Sequence, residues 1–408
     1  MTPTGPRIEE YVPIVGRSTV DELRFIAGRL GGRGVQFINS TAVGGGVAEI
    51  LNRMMPLLSD VGVDARWNVI KGGNQFFNVT KKFHNALHGK REDIGQADLD
   101  IFMETSARNI ETMETGREIV FVHDPQPIAL VKKKSGNRWL WRCHIDVSEP
   151  DPRVWSFLLG FVVSYDAAIF SAPSFSHPLP IRQFLISPSI DPLSDKNREL
   201  PPETIDAVLA KYGIPADKPI VTQISRFDRL KDPLGVIEAY RLVKPYVDCR
   251  LVLAGGTAAD DPEGMAVYNE VLERASRDPD IHVLLLQQND IEVNVLQRAS
   301  SVVVQKSLRE GFGLTVAEAL WKGKPVVASR VGGIPLQVVH RHSGLLSRSI
   351  EGTAYAIKQM LNNPAFAARM GENGREHVKN NFLITRHLRD YLLTFLSLFM
   401  PGDVVRLQ

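Results

Sequence analysis

The sequence predicts an α/β protein with two domains, each built on a parallel β-sheet. Short apolar or β-branched runs alternate with longer amphipathic stretches along the chain, as they do in proteins built from β-α units. The 408 residues favour two domains, since about 100–200 residues per domain is usual. The alternation restarts after residue 202, so the second half repeats the architecture of the first.

The first half contains five short runs that we predict as strands. A helix is predicted after the first of them, because apolar residues recur at helical spacing over residues 47–58. We expect Pro56 to bend or end this helix, since proline lacks the backbone N–H. The predicted strands are residues 35–38, 65–69, 118–122, 139–143 and 167–170.

A segment rich in proline and charge, residues 191–202, lacks helical or strand periodicity and is predicted as a hinge. It would separate a first domain, residues 1–190, from a second, residues 203–385, and we expect an apolar helix at 386–408 to pack back on the first domain. The carboxyl ends of both sheets would face a shared cleft, where open α/β sheets usually bind ligands. The strands predicted in the second half are residues 220–224, 250–253, 282–286, 301–304 and 325–328.

Composition and charge exclude several classes of protein. Lys and Arg number 48 against 46 Asp and Glu, a formal charge of +2, which provides no overall field for a polyanion such as nucleic acid. No run of about 18 apolar residues occurs, and the N-terminus has no apolar signal core, so secretion and membrane spanning are disfavoured. Cys143 and Cys249 lie far apart, which favours a reduced, cytoplasmic chain.

Three motifs follow predicted strands at positions where a ligand could bind. The first is Gly44, Gly45 and Gly46, between the first strand and a helix, where backbone N–H groups could approach a phosphate closely. The run matches neither the dinucleotide-binding nor the P-loop pattern, and a tight turn explains it equally well.

The second motif, residues 225–231, follows the strand at 220–224. Arg226 and Lys231 could place a planar fork and a point charge on one pyrophosphate and stabilise the charge on a departing nucleoside diphosphate. Basic residues at loop starts are also often solvated, and Asp228 and Asp232 could pair with these cations.

The third motif, residues 310–318, is the most informative. Two glycines allow a tight turn before a helix that we expect to begin near Leu314. Glu310 lies in the loop and Glu318 about one turn into the helix, so both carboxylates could accept hydrogen bonds from sugar or ribose hydroxyls. The alternative is that Glu318 is a capping or solvent-facing helical residue.

Weaker signals lie in the first half of the chain. His123-Asp124 and His144-x-Asp146 each follow a predicted strand, and a satisfied core histidine is as good an explanation as a functional one. Asp98 and Asp100 have the spacing of a metal-binding D-x-D motif, but no strand precedes them. No G-x-S-x-G occurs, which disfavours an α/β-hydrolase.

The E-x7-E spacing from Glu310 to Glu318, with S-R-F-x-x-x-K upstream and a glycine-rich loop after the first strand, resembles the retaining GT-B glycosyltransferases of family 4. More narrowly, residues 39–51, 76–89, 122–127, 139–146 and 188–197 are similar to trehalose glycosyltransferring synthases. The resemblance covers nearly the whole chain. It implies the GT-B fold, with two Rossmann-like parallel-sheet domains facing across a cleft.

The resemblance also implies an activity. Glucose would pass from UDP- or ADP-glucose to free glucose with retention of configuration, forming trehalose reversibly. The implied mechanism is a same-face attack in which the leaving phosphate oxygen takes the acceptor proton. The alternatives are a related enzyme with a sucrose-, glycogen- or sugar-phosphate-type acceptor, and a non-catalytic sugar-nucleotide-binding protein.

Roles for individual residues follow from the same resemblance. The implied catalytic residues are Arg226, Lys231, Glu310 and His144, with Glu310 binding the donor glucose and His144 contacting the transferred sugar. The implied donor-binding residues are Gly45, Gly46, Arg226, Lys231, Leu314, Thr315 and Glu318. The candidates for acceptor binding are Asp124, Gln126 and His84, the last in a predicted loop at 83–88.

Two regions depart from the family pattern: Asp232 follows Lys231 where glycine is usual, and Leu336 and Gln337 lie where many members carry an acid. No metal site and no tightly bound cofactor are expected, although stimulation by a divalent metal is left open. The expected partners are nucleoside diphosphate glucose, glucose and trehalose, with no nucleic acid and no membrane. A homodimer is also left open.

Overall fold

The computed structural model describes residues 5–43, 45–256, 262–286 and 289–400, and the chain divides into two compact units. The first unit comprises Met1–Pro188 and Ile384–Gln408, and the second comprises Ser189–Leu383. The segment 191–202 that we predict as a hinge lies within the second unit. Asn294 Nδ2 holds this segment, since it donates to the carbonyls of Asp195 and Arg198, each at 2.8 Å.

The first unit is built on a parallel six-stranded sheet with the order β2-β1-β3-β4-β5-β6. Its β1, β3 and β5 are buried along their whole length, as parallel strands covered on both faces are. The five predicted strands are confirmed with ends shifted by at most one residue, and β6 was not predicted. The strands are β1 (Val35–Asn39), β2 (Ala65–Val69), β3 (Ile119–His123), β4 (Arg138–Cys143), β5 (Ala167–Phe170) and β6 (Arg182–Leu185).

The second unit is also built on a parallel six-stranded sheet, with the order β12-β11-β10-β7-β8-β9. Val221 packs into one core cluster while its neighbours Ile220 and Ile224 pack into another, so both faces of the sheet are covered. The five predicted strands are again confirmed, with shifted ends, and β12 was not predicted. The strands are β7 (Ile220–Ile224), β8 (Arg250–Gly255), β9 (Ile281–Leu285), β10 (Val302–Gln305), β11 (Val326–Ser329) and β12 (Leu345–Ser347).

Each sheet has one point where the strand order reverses. In the first unit this point lies between β1 and β3, and in the second it lies between β7 and β10. Counted from its own first strand, the second sheet has the 3-2-1-4-5-6 order of a Rossmann fold. Ligands of open α/β sheets bind outside the carboxyl ends of the strands at such points, so the loops after β1, β3, β7 and β10 are the positions to inspect.

Helices connect the strands, and none of those described is long and apolar enough to cross a membrane. The α-helices are α1 (Val12–Val15), α2 (Arg17–Gly28), α3 (Gly45–Asp60), α4 (Asn74–Leu87), α5 (Gln96–Thr112), α6 (Pro152–Val162), α7 (Pro202–Lys211), α8 (Pro233–Val243), α9 (Pro262–Ala275), α10 (Asp290–Ala299), α11 (Leu314–Trp321), α12 (Ile334–Gln337), α13 (Ile350–Asn362), α14 (Pro364–Asn381) and α15 (Ile384–Ser397). Short 3-10 turns occur at Ile8–Tyr11, Ile128–Lys133, Pro173–Phe175 and Arg229–Lys231.

Two helices show how packing overrides local sequence. Pro56 does not end α3, which continues to Asp60. A proline inside a helix costs about 3 kcal/mol, and burial of each large apolar side chain contributes about 1.5–3 kcal/mol, so the buried face of α3, with Met54, Leu57 and Leu58, outweighs it. Helix α15 belongs to the first unit, where it packs against α2 and α3, and residues 401–408 of the predicted helix lie outside the described residues.

Candidate functional site

The loops after β7 and β10 bring a lysine and a glutamate together at the reversal point of the second sheet. Lys231 ends the 3-10 turn Arg229–Lys231, and Glu310 lies in the loop after β10. Lys231 Nζ lies 2.7 Å from Glu310 Oε1 and 2.6 Å from Oε2. Their side chains are 18% and 8% exposed, so this ion pair is largely shielded from water. Two of the predicted catalytic residues therefore meet, and in this structure they bind each other.

Further hydrogen bonds fix the Lys231–Glu310 pair. Ser307 Oγ donates to Glu310 Oε2 at 3.0 Å, and Gln305 Nε2 lies 3.5 Å from the same oxygen. Gln223, at the end of β7, donates from Nε2 to the carbonyl of Lys231 at 2.8 Å. A charged pair held by this many neutral donors keeps one geometry rather than sampling several.

A glycine holds the backbone of Glu310 in place. Gly332, in the loop after β11, has φ +53°, and a Cβ there would lie 1.6 Å from the Glu310 carbonyl oxygen. The neighbouring Gly333 N–H donates to the carbonyl of Gly311 at 3.0 Å. Only glycine allows so close an approach, so the loop after β11 supports the loop that carries Glu310.

The structure gives defined contacts to Asp232 and Gln337, two of the three residues that depart from the family pattern. Asp232 has φ +49°, a left-handed conformation that aspartate tolerates better than most residues, and its carboxylate caps α8 through the Gly235 N–H at 3.0 Å. The same carboxylate pairs with the buried Lys306, so it joins the loops after β7 and β10. Gln337 is buried, and its Nε2 donates to the carbonyl of Phe312 at 2.5 Å.

Arg226 forms its ion pair with a different residue from those of the Lys231–Glu310 pair. Its side chain is 51% exposed and its ion-pair partner is Asp228, at 3.4 Å. Asp228 in turn caps the 3-10 turn by accepting from the Leu230 N–H at 2.8 Å. Of the two pairings that the sequence left open, Asp228 does pair with a cation of the motif, whereas Asp232 pairs with Lys306 instead.

Helix α11 begins at Leu314, as the sequence predicts, with Gly313 in a left-handed conformation at its N-cap. Thr315, in the first turn, donates from Oγ1 to Gln305 Oε1 at 3.3 Å. Glu318 is only 2% exposed, so the solvent-facing alternative is wrong. Gln297 Nε2 lies 3.4 Å from Glu318 Oε2, and Lys196 Nζ lies 3.9 Å from Oε1.

The first unit gathers a second set of candidates after β3 and β4. Asp124 has φ +65°, and its Oδ1 accepts from the backbone N–H of His144 at 2.8 Å. The imidazoles of His123 and His144 are stacked, with His123 Nδ1 3.0 Å from His144 Nε2. Trp141 Nε1 donates to the carbonyl of Asp124 at 3.1 Å. The predicted Asp124 and His144 are therefore neighbours, and His123 is a third member of their cluster.

Arg142 is a buried cation of this cluster that is not among the predicted site residues. It donates to the Tyr391 hydroxyl at 2.6 Å and to the Ile186 carbonyl at 2.9 Å, and its Nη1 lies 2.9 Å from His387 Nε2. Burial and, secondarily, the charge of Arg142 lower the pKa of both His123 and His144 well below the usual range. Burial raises the pKa of Asp124 to about 6. An arginine within the apolar run of the predicted strand 139–143 was the signal that could have revealed it.

The remaining candidates of the first unit occupy separate positions. Gly45, with φ +78°, and Gly46 are exposed at the start of α3, while Gly44 lies outside the described residues. Gln126 lies beside Ser106 and Asn109, with no space between them for a water molecule. His84 is on α4 with its ring centroid 4.8 Å from that of His88, so the predicted loop at 83–88 is wrong: residues up to Leu87 are helical.

No group of three or more His, Cys, Asp or Glu side chains in the described part of the chain could hold a metal ion. Asp98, from the weak D-x-D motif, accepts from the Gly95 N–H at 3.0 Å and pairs with Lys82 at 2.8 Å. The hydrogen bond from Lys82 lowers the pKa of Asp98. The carboxylate of Asp98 therefore binds Lys82 and the backbone at the start of α5.

The fold and the carboxyl-end site define a class of protein. A sucrose-phosphate synthase from Thermosynechococcus elongatus shares the fold with a TM-score of 0.72 and 19% identity, over 90% of this chain and 99% of that chain. A trehalose-6-phosphate synthase, OtsA, has a TM-score of 0.71 and 14% identity, over 89% of this chain and 98% of that chain. The two parallel six-stranded sheets are those of a GT-B glycosyltransferase.

Sequence comparison identifies the family. Residues 37–177 match the trehalose synthase N-terminal domain, and residues 205–377 match the glycosyl transferases group 1. A trehalose synthase from Rubrobacter xylanophilus is 45% identical over 98% of both chains, and one from Pyrococcus horikoshii is 43% identical over 95% of both. The chain belongs to the trehalose synthase family of glycosyltransferases. A trehalose phosphorylase from Pleurotus pulmonarius is 28% identical, over 91% of this chain and 58% of its own length.

Proposed function

We propose that this protein is a retaining glucosyltransferase that transfers glucose from UDP- or ADP-glucose to free glucose, forming trehalose reversibly. The observation that carries the proposal is the shielded Lys231–Glu310 pair at the reversal point of the second sheet. A sugar nucleotide offers one chemically matched group to each member of the pair. Its diphosphate needs a cation, and the hydroxyls of its glucose need a carboxylate acceptor.

The second unit supplies groups for each part of the donor. Lys231 and the exposed Arg226 would bind the diphosphate. The backbone N–H groups of Leu314 and Thr315 at the N-terminus of α11 would add donors to it, since the positive end of a helix favours anions. Glu318 would accept hydrogen bonds from the ribose hydroxyls, and Glu310 from the glucose.

The first unit supplies groups that suit an uncharged sugar. His123 and His144 have depressed pKa values and are therefore neutral imidazoles, which donate and accept hydrogen bonds without demanding a charged partner. Asp124, Gln126 and His84 would contact the acceptor glucose, and His144 the transferred sugar. Gly45 and Gly46, which are exposed at the start of α3, would instead donate backbone N–H groups to the donor phosphates.

The bond from the glucose anomeric carbon to the diphosphate oxygen breaks, and a bond to an acceptor hydroxyl oxygen forms on the same face. The departing phosphate oxygen takes the proton of that hydroxyl. Lys231 and Arg226 stabilise the charge that develops on the diphosphate, so the protein contributes electrostatic stabilisation rather than a covalent intermediate.

Product analysis tests the proposal. The protein is incubated with UDP-, ADP- or GDP-glucose and ¹³C-labelled glucose, and NMR is used to detect a labelled α,α-1,1-linked disaccharide with stoichiometric release of nucleoside diphosphate. Parallel reactions contain glucose 6-phosphate as the acceptor, or trehalose with inorganic phosphate. Absence of trehalose with all three donors contradicts the proposal, as does product formed only from the phosphorylated acceptor or only by phosphorolysis.

The proposed reaction uses small molecules alone, without nucleic acid, membrane or a tightly bound cofactor, and would take place in the cytoplasm. Activity that survives EDTA would support a reaction without a resident metal, while stimulation by added Mg²⁺ would identify the divalent metal as an activator. Light scattering during size-exclusion chromatography would measure whether the protein forms a homodimer.

A further inference from the structure

Glu318 is surrounded by buried polar side chains from neighbouring elements of the second unit. Gln297 lies on α10, Lys322 directly follows α11, and Asn197 lies in the segment 191–202. Glu318, Gln297 and Asn197 are 2% exposed or less, and Lys322 is 9% exposed. Buried polar groups destabilise a fold unless they are hydrogen-bonded. The side chains of such a dense cluster therefore need hydrogen-bond partners within it.

The side-chain amide of Gln297 can bind in only one orientation. Its Nε2 lies 3.3 Å from the carbonyl oxygen of Thr315 and 3.4 Å from Glu318 Oε2, and its Oε1 accepts from Lys322 Nζ at 2.7 Å. Rotating the amide by 180° would place its oxygen against two acceptors and its NH₂ against an ammonium group. Lys322 therefore determines that Gln297 presents an N–H to Glu318.

Lys322 is itself held from three directions. Besides Gln297, its Nζ donates to Asn197 Oδ1 at 3.0 Å and to the Glu318 carbonyl at 3.2 Å. Burial lowers the pKa of Lys322 to about 7, and below that pH its ammonium group has three N–H donors, all of which these three acceptors use. Gln297 thus contacts a fixed group, and any rotation of the Glu318 carboxylate has to break a hydrogen bond from an amide that cannot follow it.

We propose that Gln297 and Lys322 are positioning residues that orient the Glu318 carboxylate toward the ribose hydroxyls of the donor nucleotide. This inference rests on the proposed function, because it takes Glu318 as the ribose acceptor. A carboxylate in a fixed orientation accepts from the 2′ and 3′ hydroxyls together, whereas one that rotates aligns with one at a time. Gln297 and Lys322 therefore contribute selectivity for ribose over deoxyribose without contacting the nucleotide.

The experiment compares whichever of UDP-glucose and ADP-glucose supports faster transfer with its 2′-deoxy analogue. The wild-type protein is expected to prefer the ribose donor by about 10–100-fold in kcat/KM, the value of one hydrogen bond to a charged group. In Gln297→Met and in Lys322→Met this preference falls to within about 3-fold. The loss comes from a higher KM for the ribose donor, while kcat is nearly unchanged.

Three further variants separate positioning from general destabilisation. Glu318→Gln should remove the ribose preference, and adding Gln297→Met to it should remove nothing more, because both act through one carboxylate. Ser300→Ala, at the C-cap of α10 and buried, loses its hydrogen bonds to Thr222 and Leu296 and should lower stability while keeping the preference. Gln297→Asn serves where the methionine variant fails to fold, since its shorter amide cannot reach both Lys322 and Glu318.

The outcomes are distinct for the two proposals. An unchanged ribose preference in the Gln297 and Lys322 variants, together with its loss in Glu318→Gln, overturns the positioning role and leaves the proposed function intact. An unchanged preference in Glu318→Gln overturns the positioning role as well. Calorimetric binding of UDP and 2′-deoxy-UDP, or of the adenosine pair, gives the same comparison without catalysis, so it decides the positioning role even if no glucose is transferred.

Discussion

The two candidate sites organise buried charge in opposite ways. In the second unit, buried or partly buried lysines face carboxylates: Lys231 binds Glu310, and Lys306 binds Asp232. In the first unit, the fully buried Arg142 has neutral hydrogen-bond partners, namely Tyr391, His387 and the Ile186 carbonyl. In one site each lysine thus binds a carboxylate directly, and in the other the direct hydrogen-bond partners of the cation are neutral.

This difference shows which kind of ligand group each site suits. A lysine that binds a carboxylate provides a cation for another anion, such as a phosphate, when the ligand also supplies hydrogen-bond donors to the carboxylate that is released. Neutral imidazoles beside a buried guanidinium offer directed hydrogen bonds, which suit hydroxyls better than anions. This difference supports the proposed assignment of the donor diphosphate to the second unit and of the uncharged sugar to the first.

Removal of the lysine at the ion-paired site is expected to have the largest effect. Lys231→Met leaves Glu310 buried without its cation and removes charge stabilisation from the leaving diphosphate, so kcat/KM should fall about 10³-fold. Arg229→Met is the matched control, since Arg229 lies on the same turn but is exposed and pairs with Glu270. Steady-state kinetics of both variants make the measurement. A loss of kcat/KM below 10-fold for Lys231→Met would contradict the idea that the ion pair contributes more to catalysis than the hydrogen bonds of the first unit do.

The second largest effect is expected from replacing Gly332, which lies against the backbone of Glu310. In Gly332→Ala the new Cβ would lie 1.6 Å from the Glu310 carbonyl oxygen, which has to move, and kcat/KM should fall about 100-fold. Gly323→Ala is the control, because its φ of +70° imposes a similar strain of about 1 kcal/mol, but its Cβ meets no atom within 4 Å. Equal losses of activity in the two variants would show that strain, rather than displacement of Glu310, is responsible.

A third prediction concerns the first-unit cluster of His123, Asp124 and His144, and the dependence of stability on pH. The pKa of Asp124 is raised by burial to about 6, so the folded protein binds this proton more tightly than the unfolded chain does. The contribution is present below about pH 4 and lost as pH rises through 6, a loss of about 2–3 kcal/mol in the free energy of unfolding. Asp124→Asn keeps the acceptor for the His144 N–H but cannot ionise. Urea unfolding at pH 4 and pH 7 should therefore show a smaller loss in the variant, and identical losses would contradict the buried carboxyl.

The smallest effect is expected from removing the single hydrogen bond between His123 and His144 in the first unit. His123→Phe keeps an aromatic ring against Phe37 and Phe121 but loses the hydrogen bond to His144, which should lower kcat/KM about 3–10-fold. His123→Asn, whose amide nitrogen replaces Nδ1, should recover part of the loss. A loss of kcat/KM close to that of Lys231→Met would show that the hydrogen bond contributes as much to catalysis as the ion pair does.

The sequence predicts most of the fold because most strands are continuous buried runs. The two strands that it does not predict, β6 and β12, are both at sheet edges. Arg182–Leu185 is partly exposed, and Leu345–Ser347 has only three residues, so neither shows a buried run of usual length. Edge strands are fixed by pairing with a neighbour, which local composition does not reveal.

Within the candidate site, the sequence predicts residues near strand ends better than it predicts their partners. Lys231 and Glu310 are 79 residues apart, and their pairing depends on β7 and β10 being neighbours in the sheet. Lys306 and Gln297 are polar residues whose usual place is the surface, so no local pattern marks them as buried. Their partners, Asp232 and Lys322, become evident only once the loops and helices are placed.

The Lys231–Glu310 pair has a consequence for selectivity among anions. A ligand that draws Lys231 away leaves a largely buried carboxylate uncompensated, and the resulting penalty of several kcal/mol opposes binding. Inorganic phosphate brings a charge for the lysine and nothing for the glutamate. A nucleotide joined to a sugar brings an anion and hydroxyls at once, and so replaces both partners in one event. We therefore expect the Lys231–Glu310 pair to favour a sugar nucleotide over free phosphate, even when phosphate is present at high concentration.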